Sequence, residues 1–296
     1  MATPAHWTPG RAPVSVVLIT LNEAHNLPEF LDHLRDFAGE VIIVDSYSSD
    51  RTVDIALDAG VRIVQRRFRG YGDQWNFALT RTGIRFPWTM KLDPDERLTP
   101  DLKAEIRDRI ARDDADGFTI DIKLWFLGRE LPVRQNALRL WRTGSCTFSD
   151  VLVNEYAKVD GRVDRLVNHI EHHDSPSLHH WFDKQNRYTT GEAELAFKGQ
   201  TLAFEPKLFG SGKERRMWLK RAFYRTPFRY QIFFLYNWLW LGAWRAGTAG
   251  RTWARLRSDV MRYVEYKLYE MHQQGRVPPR IERQPGSPDP RVPQLD

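Results

Sequence analysis

Three apolar runs, each cut off by polar residues, constrain this 296-residue chain more than anything else in it. The first, Ser15-Val16-Val17-Leu18-Ile19, stops at Thr20-Leu21-Asn22-Glu23. The second, Val41-Ile42-Ile43-Val44, stops at Asp45-Ser46-Tyr47-Ser48-Ser49-Asp50-Arg51-Thr52. The third carries Trp88, Met90 and Leu92 and stops at Asp93-Pro94-Asp95-Glu96. Short continuous apolar runs describe strands buried on both faces, as in a parallel sheet. Helical spacing separates them, through Leu27, Phe30, Leu31 and Leu34 and again from Val53 to Ala59. Another strand, Val61 to Val64, follows the second helix. Strand and helix in alternation predict a right-handed α/β sheet, mostly parallel and Rossmann-like. Ligands of such sheets collect beyond the carboxyl ends of the strands, where Thr20, Asn22, Asp45 and Asp93 fall together.

The third run has the most chemistry. Asp93 and Asp95 form an Asp-x-Asp at a strand end, and two hard oxygen ligands this close suit Mg²⁺ or Mn²⁺, which in turn holds a diphosphate. Alone the motif also describes an ordinary surface turn. A phosphatase using Asp-x-Asp needs it on the first strand, with Thr or Val two residues after the second Asp; Arg97 stands there.

With Gly70-Tyr71-Gly72-Asp73-Gln74-Trp75-Asn76-Phe77-Ala78, these segments resemble family 2 glycosyltransferases of the GT-A fold, nearest to the lipopolysaccharide core β-glucosyltransferase-like subgroup. The resemblance runs on through Leu138-Arg139-Leu140-Trp141-Arg142, Val153-Asn154-Glu155, His172 and Lys184-Gln185-Asn186-Arg187-Tyr188-Thr189, covering roughly 13–270. The chain departs from the subgroup in Asn154-Glu155, where His-Glu is usual, and in Pro94, where Ala is usual. The resemblance implies an inverting transfer of a hexose from a nucleotide sugar, UDP-linked, to a membrane-associated saccharide or lipid in cell-envelope glycan synthesis. Thr20, Asn22, Glu23 and Asp45 would line the nucleotide cleft, Gln74 and Asn76 its sugar-facing edge, and Asp93 the donor ribose. Asp93, Asp95 and His172 would hold the metal. Glu155 would take the acceptor proton, with Asp150 and Asp160 as local competitors. Without the resemblance, Gln74 and Asn76 read as an exposed helix face and any of these acids as a surface group. His169, His172, His173, His179 and His180 cluster, but no His-Glu-x-x-His or nearby cysteine supports a zinc site.

Charge is distributed unevenly. The formal net charge is +6, yet residues 207–267 hold 14 Lys or Arg against 3 Asp or Glu. Inside that block, Tyr230 to Trp244 is dense in aromatics and flanked by Arg221, Arg225, Arg229, Arg245 and Arg251. The run is shorter than the ~20 residues of a membrane-crossing helix. It reads as a helix lying on an anionic membrane surface, the alternative being a core helix with solvated basic neighbours. No nucleic-acid motif accompanies it, so nucleic acid is not an expected partner. The single cysteine, Cys146, fits a reducing compartment, and the first residues lack the apolar stretch of a secretion signal. The expected location is cytoplasmic, peripheral on the inner face of the cytoplasmic membrane. The expected organisation is a disordered start (1–12), a GT-A catalytic domain (13–205), a basic aromatic helical membrane-associating region (206–275) and a disordered Pro-rich tail (276–296). Two other readings stay open: a polyprenyl-phosphate glycosyltransferase, and a non-catalytic nucleotide-binding membrane scaffold.

Overall fold

The structure, a computed structural model, describes residues 7–149, 156–199, 209–210, 215, 218–219, 222–223, 226–278 and 286–295. The three cut-off runs become strands β1 (Ala12–Thr20), β2 (Ala38–Asp45) and β4 (Trp88–Lys91), with β3 (Arg62–Gln65) between the last two in sequence. β2 is buried along its whole length and β1 nearly so, as continuous apolar runs require. Helices α1 (Leu27–Leu34), α2 (Thr52–Asp58) and α3 (Tyr71–Arg81) form the crossovers. Leu27, Phe30, Leu31 and Leu34 put one apolar stripe of α1 into the core.

After β4 come β5 (Glu96–Leu98), α4 (Pro100–Arg112), β6 (Gly117–Phe126), β7 (Arg129–Arg142), β8 (Cys146–Phe148), β9 (Ala157–Val159) and β10 (Val163–His173). The main sheet has the order β3-β2-β1-β4-β7-β6-β10-β5, while β8 and β9 pair apart from it. β3, β2, β1 and β4 run parallel. β7 joins β4 antiparallel, and β5 joins β10 antiparallel. The α/β, GT-A-like fold expected from the sequence is therefore present, its parallel half carrying the polar strand ends.

The chain divides into two compact units. One comprises Met1–Leu124, Arg134–His173 and Glu282–Asp296; the other, Trp125–Val133 and Asp174–Ile281. The sequence places a boundary near 205, but α5 (Leu178–Phe197) belongs with the later helices because it packs along α7 (Gly247–Gln274). The lysine that joins them is Lys267. Its Nζ reaches Asn186 O and Oδ1, Thr189 Oγ1 and Thr190 Oγ1 at 2.6 to 2.9 Å, and burial pushes its pKa down to about 8. The Asn186 to Thr190 stretch is thus a helix–helix fastener. Ser177 caps α5 by accepting the His180 N–H at 3.2 Å.

The aromatic block forms α6 (Arg229–Leu235), a π-helical turn (Tyr236–Trp240) and a 3₁₀ turn (Ala243–Ala246). Gly250 lets α7 start against that turn: a Cβ there would lie 1.8 Å from the Ala243 carbonyl oxygen. No residue of α6 is buried. Phe228, Ile232, Leu235, Leu239, Trp240 and Trp244 stand exposed, Trp240 at 82%, so this block is not a core helix. Arg229 is fixed instead by Glu265 at 2.6 Å. Arg221 and Arg225 lie outside the described residues. Among the described residues, no helix is long and apolar enough to cross a membrane.

The tail differs most from expectation. Residues 286–295 run beside β3: Gln65 N–H donates to Pro293 C=O at 2.9 Å, and Leu295 N–H to Gln65 C=O at 3.0 Å. Val292 is 4% exposed within the main core. An isolated segment rich in Pro and charge reads as disordered. This one is held because β3 is an edge strand with unpaired backbone groups to offer.

Candidate active site

The loops leaving β1 and β2 are tied into one frame. Asp45 is fully buried, and its carboxylate accepts four hydrogen bonds: Thr20 Oγ1 at 2.8 Å, Ser48 Oγ at 2.5 Å, Ser48 N at 2.9 Å and Gln65 Nε2 at 2.8 Å. That fills the acceptor capacity of a carboxylate. Asn22, with φ 59°, gives its N–H to Ser48 Oγ and accepts from Ser49 N–H, both at 2.8 Å. Glu23 N–H donates to Thr52 Oγ1 at 2.8 Å, and its carboxylate accepts from Asn26 Nδ2 at 2.9 Å. Thr20, Asn22, Glu23 and Asp45 are thus brought together, and as folded they hold one another.

The residues expected at the sugar edge sit on α3. Gln74 is fully buried and donates to Ser46 Oγ at 3.2 Å. Its Oε1 is buried without a hydrogen-bond partner among the described residues. Both ends of the Asn76 amide are taken by the Phe148 backbone, at 2.9 and 2.8 Å, so as folded Asn76 fastens β8 to α3.

The acidic turn after β4 closes on itself. Glu96 N–H donates to Asp93 C=O at 2.9 Å, and Asp93 N–H returns to Glu96 Oε2 at 2.9 Å. Arg97 clamps the turn through Pro94 C=O at 2.8 Å and Glu96 C=O at 2.9 Å. β10 then supplies His172. The antiparallel register sets His172 opposite Glu96, and His173 N–H donates to Asp95 C=O at 2.8 Å. In consequence His172 Nε2 lies 3.1 Å from Asp95 Oδ2 across 77 residues of sequence. A carboxylate oxygen and an imidazole nitrogen at the same point are the donor set of a hard to borderline divalent cation. Asp93 is turned elsewhere: its Oδ2 receives Arg139 Nη2 at 3.2 Å.

Sequence reasoning did not single out Arg139, Glu96 or Lys91. Arg139, 6% exposed, bridges Asp93 and Glu96, reaching Glu96 Oε1 at 2.5 Å. Burial pushes the Glu96 carboxyl up to about 7, against the pull of Arg139. Burial pushes Asp93 up as well, but Lys91 and Arg139 together outweigh it and leave Asp93 below its ordinary value. Of the two carboxyls, Glu96 is the one that takes a proton near neutrality. Lys91 Nζ stands 4.5 Å from the centre of the Trp75 ring. The signal for Arg139 was its place in Leu138-Arg139-Leu140-Trp141-Arg142, where a charged residue alternates with strand-type apolar ones. Glu155 and Asp150 lie outside the described residues. Asp160 is exposed and paired with Lys158 at 3.1 Å.

Residues 15–151 match the family model described as glycosyl transferase family 2. A lipopolysaccharide core biosynthesis glycosyltransferase, LpsC, of Rhizobium meliloti (strain 1021) is 28% identical over 275 residues, 88% of this chain and 94% of its own length. An uncharacterized glycosyltransferase of Rickettsia bellii (strain RML369-C) is 27% identical over 74% of this chain and 78% of its own. Among solved structures, S. aureus TarS 1-349 in complex with UDP-GlcNAc matches with TM-score 0.46 and 17% identity, over 89% of this chain and 92% of that one. Polar strand ends in order, the closed Asp-x-Asp turn and the matching family model agree: residues 15–151 form a family 2 glycosyltransferase domain.

Proposed function

We propose that the protein is an inverting glycosyltransferase moving a hexose from a UDP-linked sugar to a membrane-associated saccharide or lipid in cell-envelope glycan synthesis. The observation that carries this reading is the meeting of Asp95 and His172 at 3.1 Å beside Asp93, at the end of the parallel half of the sheet. The relative named for lipopolysaccharide core biosynthesis supports the acceptor class.

The donor set fits a divalent cation. Asp95 and His172 would hold Mg²⁺ or Mn²⁺, with Asp93 on the donor side, kept ionised by Lys91 and Arg139. A bound divalent cation supplies neutralisation of the diphosphate, which makes the nucleotide a good leaving group. The chain's own groups do the rest. The Thr20, Asn22 and Asp45 frame fixes the loops against which the nucleoside lies. Gln74 Oε1 is a buried acceptor left over for a donor hydroxyl among the described residues. Glu155 takes the acceptor proton during attack on the anomeric carbon, and the nucleoside diphosphate leaves on the opposite face.

The exposed apolar residues Phe228, Ile232, Leu239, Trp240 and Trp244, with Arg229, Arg245 and Arg251 nearby in sequence, support peripheral binding to an anionic inner-membrane surface. Calorimetric titration of UDP-, GDP- and ADP-sugars with Mn²⁺ tests the donor reading. Asp95→Ala should remove the metal-dependent part of UDP binding while the fold persists; unchanged affinity would falsify the metal assignment. Glu155→Gln should bind donor normally and lose ~10²–10⁴-fold in turnover. Near-normal turnover assigns the base elsewhere, or signals an acceptor phosphate that needs no base.

A further inference from the structure

The C-terminal segment 286–295 covers the edge of the sheet at the very residue that holds Asp45. Gln65 is fully buried. Its main chain forms a parallel bridge with Gln294. Its side chain accepts Asp289 N–H at 2.8 Å and Gln294 Nε2 at 3.1 Å on Oε1, and donates from Nε2 to Asp45 Oδ2 at 2.8 Å. A primary amide has one orientation that satisfies this pattern, because the two donors from the segment force Oε1 outward and so turn Nε2 toward Asp45. The segment touches the same loop a second time, where Gly286 N–H donates to Tyr47 C=O at 2.7 Å. Only a glycine fits there: a Cβ at 286 would stand 2.9 Å from Ser48 O and 3.0 Å from Tyr47 O. Outside these contacts, Arg291 anchors the segment to Asp54 at 2.6 Å.

From this geometry we infer that residues 286–295 are a strap that positions the nucleotide subsite: through Gln65 and Tyr47 the strap fixes Asp45 and the Ser46–Asp50 loop in the conformation that accepts the nucleoside diphosphate. The inference rests on the donor reading above. Loss of the strap removes two donors from the Gln65 side-chain oxygen, one from its carbonyl and one from the Tyr47 carbonyl, and frees the amide to rotate away from Asp45. Ser48 then loses its fixed partner, and with it the tie to Asn22. The residues of the strap are positioning residues and touch no reacting atom.

Reciprocity gives a test on the unaltered protein. If the freed strap weakens UDP binding about tenfold, saturating UDP with Mn²⁺ must protect the strap by the same factor. The expected result is that hydrogen exchange at the Leu295 amide, bonded to Gln65 C=O, slows about tenfold when UDP and Mn²⁺ are added. Gly286→Val should raise the Kd for UDP about tenfold, and the exposed Arg291→Glu, which spares the core, should raise it about threefold. Exchange at Leu295 indifferent to bound UDP overturns the strap, as does tighter UDP binding in either variant, which would make the segment an obstruction. Wild-type protein that binds no nucleoside diphosphate overturns the donor reading itself and is told apart from both by the same titration.

Discussion

Replacing Arg139 with Met tests the electrostatic core of the site, because volume is nearly kept and only charge and hydrogen bonds go. Arg139 is 6% exposed and Glu96 2% exposed. Removing one member of a buried ion pair costs ~3–5 kcal/mol, since the partner charge stays behind. Here the partner has an escape. Its carboxyl sits at about 7 with Arg139 present; without the guanidinium, burial acts with less opposition and the value climbs further. At pH 7 Glu96 therefore takes a proton in the variant, and the loss falls toward the lower end, about 3 kcal/mol. At pH 8.5 keeping that proton becomes harder and the loss grows.

The linkage has a definite sign. A carboxyl raised from 4.5 to about 7 on folding contributes stability that is complete below about pH 4.5 and is lost as pH rises through about 7. In Arg139→Met that window moves upward. With two compact units in the chain, one global melting curve would mix two transitions, so amide exchange in β5 and β10 under mild urea is the suitable readout. Glu96→Gln in the Arg139→Met background should recover all but ~1 kcal/mol, because the buried charge is gone and the amide oxygen can still accept Asp93 N–H. A loss under ~1 kcal/mol at both pH values, or one that Glu96→Gln fails to recover, refutes the reasoning.

His33 gives an opposing pH dependence. Burial, with Arg97 and Lys103 nearby, pushes it down to about 3 from 6.5; its stabilisation is complete above about pH 6.5 and is lost as pH falls toward 3. His33→Gln should flatten the acid limb of the stability curve by up to about 2 kcal/mol between pH 6.5 and 5, at ~1.4 kcal/mol per proton and pH unit, and an unchanged limb in urea titrations would count against it. On the helical unit, wild-type protein should float with anionic vesicles at low salt and sink at high salt. Trp240→Glu should weaken flotation without changing secondary structure by circular dichroism, and equal flotation of both proteins would remove that face from the membrane contact.

The sheet was legible because its central strands are buried on both faces and therefore read as unbroken apolar runs. β2, Ala38–Asp45, has no exposed residue at all. The frame at the strand ends was legible as a set of polar stops, but its internal wiring was not. Nothing local says that Asp45 spends its acceptors on Thr20, Ser48 and Gln65, or that Asn76 spends its amide on Phe148, since these partners lie up to 72 residues apart. The Arg139 motif was visible but its partners were not, for the same reason: a strand arginine looks solvated until the neighbouring strands show that it faces Asp93 and Glu96. The strap was hidden by composition. Pro and charge say that a segment cannot build a core of its own, and they say nothing about an edge strand that can lend one.

Two aspartates at two strand ends have opposite fates, and donors decide which. A cation approaching Asp45 would have to break four hydrogen bonds and strand buried donors at ~1–3 kcal/mol each, a cost that would consume most of the gain from coordination. Asp95 meets a histidine instead, and a neutral imidazole can turn from partner to co-ligand simply by presenting its lone pair. Pro94 sharpens the contrast. It has no N–H to give either neighbour, so the turn that carries Asp95 is held by Glu96, Arg97 and Arg139 and by the His173 N–H on the Asp95 carbonyl. The Asp95 carboxylate is left pointing at β10. Asp45 is built to hold protein, and Asp95, under the proposed metal reading, is the carboxylate that could exchange a protein partner for a cation.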